Sequence, residues 1–192
     1  MNISYIMKNK NKKFKLSLAA TIFIALTFSV SVSPVAASSI DPENVSYLIN
    51  KERTYYGLEP LNINESLSGA AINKSNDMVS RDYFEHYAYG LTPWDFINFS
   101  GYNYLYAGEN LAMDFQTSEG MVSAWMNSDH HRENILNPDF NEMGVGIVKG
   151  TYTENGVSRE TTMVTNMFGR KKPVILEVFN NIVTKVVDFF AF

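Results

Sequence analysis

The chain has 192 residues, 45% hydrophobic and 14% aromatic, which is enough for one buried core and too apolar for a disordered chain. Its formal charge is −4, but five lysines (Lys8, Lys10, Lys12, Lys13, Lys15) precede residue 37 with no acid among them. The remainder sets 11 basic against 20 acidic residues, a balance of −9 that argues against a nucleic-acid partner, and the lack of cysteine excludes disulfides and thiolate chemistry.

In chain order, residues 1–37 read as an export signal. A lysine-rich stretch ends at Lys15, an uncharged run covers Leu16 to Ser33, and small residues close it at Pro34-Val35-Ala36-Ala37. The alternative is an uncleaved anchor, since the run is close to the roughly 18 residues a spanning helix needs. On either reading the body, residues 38–170, is expected to be secreted or extracellular.

Asp41-Pro42 suits an N-cap followed by proline in the first helical turn, and Val45, Leu48, Ile49 and Arg53 follow at helical spacing to a stop at Tyr56-Gly57. Glu59-Pro60-Leu61 reads as an extended link. Asn64 caps a second helix with Leu67, Ala70, Ala71, the stem of Lys74, and Met78 on its apolar stripe. Residues 87–107 are loop-rich and aromatic, with a short helix from Pro93 to about Ser100. Residues 107–112 read as a tight turn presenting Glu109. Ser118 caps a further helix to about Asn127, and residues 128–140 read as turns. Met143 to Val148 and Thr161 to Phe168 read as a hairpin with a rather long loop. Helices first and strands last, without a βα repeat, indicate an α+β fold. From Lys171 onwards, residues 171–192 alternate an apolar and a polar face. They read either as an amphipathic helix that docks on a membrane surface or partner, or as a terminal helix packed on its own domain.

All three histidines fall in motif-like segments. His86 follows Tyr83-Phe84-Glu85, and His130-His131 stand in Ser128-Asp129-His130-His131-Arg132-Glu133-Asn134-Ile135-Leu136. Between them lies Gly108-Glu109-Asn110-Leu111-Ala112. With Asn50-Lys51-Glu52-Arg53, Gly57-Leu58-Glu59-Pro60-Leu61, Trp125-Met126-Asn127-Ser128, Gly144-Val145-Gly146 and Thr165-Asn166-Met167-Phe168-Gly169, these segments resemble the CAP family in order and spacing. That family comprises cysteine-rich secretory proteins, antigen 5 and pathogenesis-related 1 proteins, and the likeness covers about residues 42–170.

The resemblance implies a three-layer α-β-α sandwich with a central cleft, facing which stand His86, Glu109 and His131. His130 occupies a position where prokaryotic members usually have glycine, and is expected to be exposed. Ser128 stands near the place of a second glutamate found in animal and plant members, so the acidic pair is incomplete.

Two imidazoles and a carboxylate suit zinc or another divalent cation, and an ion with an open position can activate water. The same three side chains also suit a hydrogen-bonded cluster that merely orders the cleft. Ser128 beside His131 lacks the Gly-x-Ser-x-Gly elbow of a serine hydrolase. The expected function is an extracellular binding module for a lipid, peptide or cell-envelope component. The alternative is a metal-assisted hydrolase with Glu109 as ligand or general base.

Overall fold

The computed structural model describes residues 40–173 and Ile175. The signal segment and, apart from Ile175, the amphipathic face expected from Val174 onwards lie outside the described residues.

Helix α1 (Pro42–Tyr55) starts where Asp41 accepts the Asn44 amide at 2.9 Å, with proline in the first turn, and it buries Val45, Ile49 and Arg53. A short β1 (Asn62–Ile63) leads to α2 (Glu65–Ser80), whose cap Asn64 accepts the Leu67 amide at 3.2 Å. Helix α3 (Pro93–Phe99) is closed by a capping box in which the Thr92 amide donates to Asp95 at 2.8 Å. These starts are local devices, and they stand where the sequence places them.

Four stretches differ from expectation. Residues 107–112 are not a turn but the body of strand β2 (Tyr104–Met113). Gly108-Glu109-Asn110 has turn composition, but hydrogen bonding to a distant strand overrides it. Helix α4 (Ser118–Asn127) is capped by Thr117, which accepts the Gly120 amide, rather than by Ser118. The stretch after it contains helix α5 (Asp129–Ile135) instead of turns alone. Strands β3 (Glu142–Glu154) and β4 (Val157–Lys171) are longer than expected and joined by only Asn155-Gly156. Both of those residues have positive φ, 54° and 79°, as the tight hairpin turn favoured by Asn-Gly requires.

The sheet order is β1-β3-β4-β2, with β1 parallel to β3 and the other pairs antiparallel. The fold is therefore α+β, a mixed four-stranded sheet flanked by helices. Side chains of β4 alternate between two cores. Met167 packs with Leu67, Ala71, Phe96 and Ile97 of α2 and α3, and Met163 packs with Met78. Val164 and Phe168 pack with Val45, Ile49, Val122, Trp125 and Ile135 of α1, α4 and α5. Helix α2 lies so close to β3 that a Cβ on Gly144 or Gly146 would stand 2.1 or 2.2 Å from its backbone. Among the described residues no helix is long and apolar enough to cross a membrane.

Candidate functional site: the free edge of strand β2

Among the described residues strand β2 pairs only with β4, and no strand lies along its other edge. Two side chains cover that edge. Asn134 of α5 donates to the Glu109 carbonyl at 3.0 Å, and the Trp125 indole of α4 donates to the Leu111 carbonyl at 2.9 Å. Asn134 also donates to the Asn110 side-chain oxygen at 2.8 Å, and Asn110 donates to the His131 carbonyl at 3.0 Å. This network of amides fixes α5, and with it His131, against the strand. It also blunts an edge that would otherwise template another strand.

Alternation along β2 puts Glu109 on the same face as Leu111, which packs with Met78, Tyr83 and Met163. The Glu109 side chain is 2% exposed, and its Oε1 lies 2.5 Å from Nδ1 of the half-exposed His86. Its Oε2 is buried without a hydrogen-bond partner. Burial pushes the Glu109 carboxyl above the usual range, opposed by the His86 hydrogen bond and by the charges of Lys74 and His86.

Lys74 is the member of this site that sequence reading undervalued. It stands on the apolar stripe of α2 and is fully buried. Its ammonium donates to the carbonyls of Glu85 and His86 at 2.8 and 3.0 Å and to the Tyr83 hydroxyl at 3.2 Å. It also lies 4.8 and 5.3 Å from the Tyr83 and Phe96 ring centroids. The signal was a cation at a core-facing helical position, where more than the stem is buried. Burial lowers the Lys74 pKa, while Glu109, Asp77 and Glu85 raise it. Lys74 thus ties the loop that carries His86 to the helix beneath it.

His131 is placed differently. Its Nδ1 is 2.9 Å from the Ser128 hydroxyl, and its ring is 6.5 Å from that of Trp125. Its pKa is lowered, first by burial and then by the charges of His86 and His130. The His130 side chain is 97% exposed, as expected. The structure brings His86 and Glu109 into contact and joins His131 to Ser128. Among the described residues no three His, Asp or Glu side chains form a group able to hold a metal ion. The expected ligand set of His86, Glu109 and His131 is thus divided between two hydrogen-bonded pairs, and Glu109 Oε2 has no hydrogen-bond partner among the described residues.

Beside β2 opens a groove of about 310 Å³. Phe84, Leu111, Met113, Phe115 and Trp125 wall it, and Ser128 and His131 are the polar side chains on its lining. This is the combination of an apolar cleft and a few directed polar groups that small ligands use.

The model of the cysteine-rich secretory protein (CAP) family matches residues 47–167. The chain belongs to the CAP family. This CAP domain is 44% identical over 125 residues to the protein YkwD of Bacillus subtilis (strain 168), covering 64% of this chain and 48% of YkwD. It is 32% identical over 114 residues to the uncharacterized membrane protein YlbC of the same organism, covering 58% of this chain and 33% of YlbC. The chain thus spans about half the length of one curated relative and a third of the other.

Among solved structures, it is similar to an extracellular protein containing an SCP domain from Bacillus anthracis. The match has 28% identity and a TM-score of 0.58, and covers 68% of this chain and 40% of that one. An outer surface protein of Borrelia burgdorferi shares the fold at 24% identity and a TM-score of 0.58, covering 71% of this chain and 99% of that one.

Proposed function

We propose that this CAP domain is an extracellular binding module whose ligand seats an apolar group, a lipid chain or an apolar peptide side chain, in the groove beside β2. The observation that carries the reading is the lining of that groove, aromatic and aliphatic except for Ser128 and His131. The hydroxyl and imidazole orient the ligand, and the His86–Glu109 pair stands by as a further polar contact. Export is supported by the lysine-rich, then apolar, start of the chain. It is supported too by the extracellular description of the Bacillus anthracis relative.

The test is a calorimetric titration of the full chain with two uncharged probes. One is octyl glucoside below its micelle-forming concentration, the other an N-acetylated, amidated Leu-Phe dipeptide. Ala124 lines the groove and is only partly buried, so Ala124→Phe fills the site from α4. Saturable binding of either probe, lost in Ala124→Phe, supports the reading; no binding, or binding that survives the substitution, contradicts it.

The alternative, a metal-assisted hydrolase, has the raised pKa and unpaired oxygen of Glu109 in its favour. The placement of the three donors counts against it. Chelator-sensitive ester or peptide hydrolysis lost in Glu109→Gln would favour it over binding alone.

A further inference from the structure

A second cavity, of about 380 Å³, shares no lining residue with the groove beside β2. It lies between the turn that ends α1 and the segment that joins α5 to β3, and two guanidinium groups, Arg53 and Arg170, border it. Arg53 is 2% exposed. Its described partners are all carbonyl oxygens: Glu59 at 2.9 Å, Ile135 at 2.7 Å, Asn137 at 2.9 Å and Phe140 at 3.3 Å. Arg170, on β4, donates from Nη2 to the Pro138 carbonyl at 3.1 Å. Its Nε is buried without a hydrogen-bond partner. Both cations therefore hold the same 137–140 segment, and among the described residues their hydrogen-bond partners are backbone carbonyls rather than carboxylates.

Burying a guanidinium is costly unless its charge and its donors are met, and an oxyanion meets both at once. Glu59 is the one acidic residue bordering the cavity, and it stands exposed. Leu58, Pro60, Pro138 and Phe140 give the cavity apolar walls, and Gly57 and Asn141 complete the lining. Where residues 38–192 carry a balance of −9, a cavity bordered by two cations and one acid is a local reversal of charge.

We propose that this cavity is an anion site, taking a carboxylate or phosphate carried next to a small apolar group. The oxyanion lies against the Arg170 guanidinium and in the field of Arg53, while the apolar part rests on the two prolines and Phe140. The groove beside β2 plays no part in it.

The test is a nitrogen-15 NMR titration of the full chain with inorganic phosphate in one arm and propionate in the other. Arg170→Gln and Arg170→Lys are the variants, because replacing Arg53 would also release four carbonyls. The expected result is saturable shift changes at Gly57, Leu58, Phe140, Asn141 and the Arg170 side chain. Tighter binding of propionate assigns a carboxylate ligand, and tighter binding of phosphate a phosphate ligand. Affinity falls at least tenfold in Arg170→Gln and less in Arg170→Lys. His86→Ala, in the other site, leaves it unchanged. The proposal is overturned if neither anion saturates, if the shifts map to exposed lysines instead, or if Arg170→Gln binds as well as the wild type.

Discussion

At the scale of single residues, the site is a buried carboxylate in contact with an imidazole and close to a buried ammonium. Glu109 is hydrogen-bonded to His86 and feels the Lys74 charge, yet burial dominates and its pKa is raised. A carboxyl whose pKa is higher folded than unfolded favours folding below the unfolded value, and that contribution is lost as pH rises through the folded one. Glu109→Gln is therefore expected to gain stability relative to the wild type as pH rises through this range, and to converge with it in acid. Urea unfolding at a series of pH values measures this. His131 runs the other way. Its pKa is lowered, so its contribution is present above its ordinary value of 6.5 and is lost as pH falls through the folded one. Lys74→Met leaves the Glu85 and His86 carbonyls without their donor, at a cost of about 1–3 kcal/mol. It also drives the Glu109 pKa further up, which a carbon-13 carboxyl titration reads directly. A purely structural loss would not move that titration.

At the scale of elements, what was legible in the sequence follows from how local each cause is. Asp41, Asn64 and the Thr92–Asp95 box act within one turn, so α1, α2 and α3 could be read from neighbours alone. Strand β2 could not, because Gly108-Glu109-Asn110 becomes a strand only by pairing with residues 166–168, far along the chain. Helix α5 was missed for a similar reason. Its seven residues bury only Ile135 and carry Asp129, Arg132 and Glu133, so no apolar stripe announces it. It is held by Asn110 and Asn134, whose partners lie across the site. His86, Glu109 and His131 were found by motif, but their separation into a His86–Glu109 pair and a His131–Ser128 pair depends on that same long-range placement. The close approach of α2 to β3 was equally hidden. Its consequence is testable: Gly146→Ala forces a methyl to 2.2 Å from the Ala71 backbone. We expect a loss at the upper end of the ~1–3 kcal/mol typical of overpacking, read as a lower thermal midpoint. The neighbouring Val145→Ala, which only removes methyl groups, provides the comparison.

At the scale of the whole molecule, one sheet divides the cores, and two buried cations tie loops to that frame. Lys74 holds the His86 loop on one side. Arg53 gathers carbonyls from residues 59, 135, 137 and 140 on the other, doing in a chain without cysteine what a covalent staple does elsewhere. Arg53→Met is expected to cost about 3 kcal/mol or more, since several buried carbonyls lose their donor together, and chemical denaturation measures it. Between these frames the groove beside β2 is bounded by elements from both cores. Phe84 and Leu111 belong with α2, and Trp125 with α4. A ligand seated there would touch both, so its position is the most direct test of the account. The measurement is a set of intermolecular nuclear Overhauser effects between octyl glucoside and the full chain. The account predicts contacts from the octyl chain to the Met113 methyl and the Trp125 ring, with the sugar nearer His131. Contacts confined to exposed aromatics such as Tyr87 and Phe99, or none at saturating probe, would contradict it.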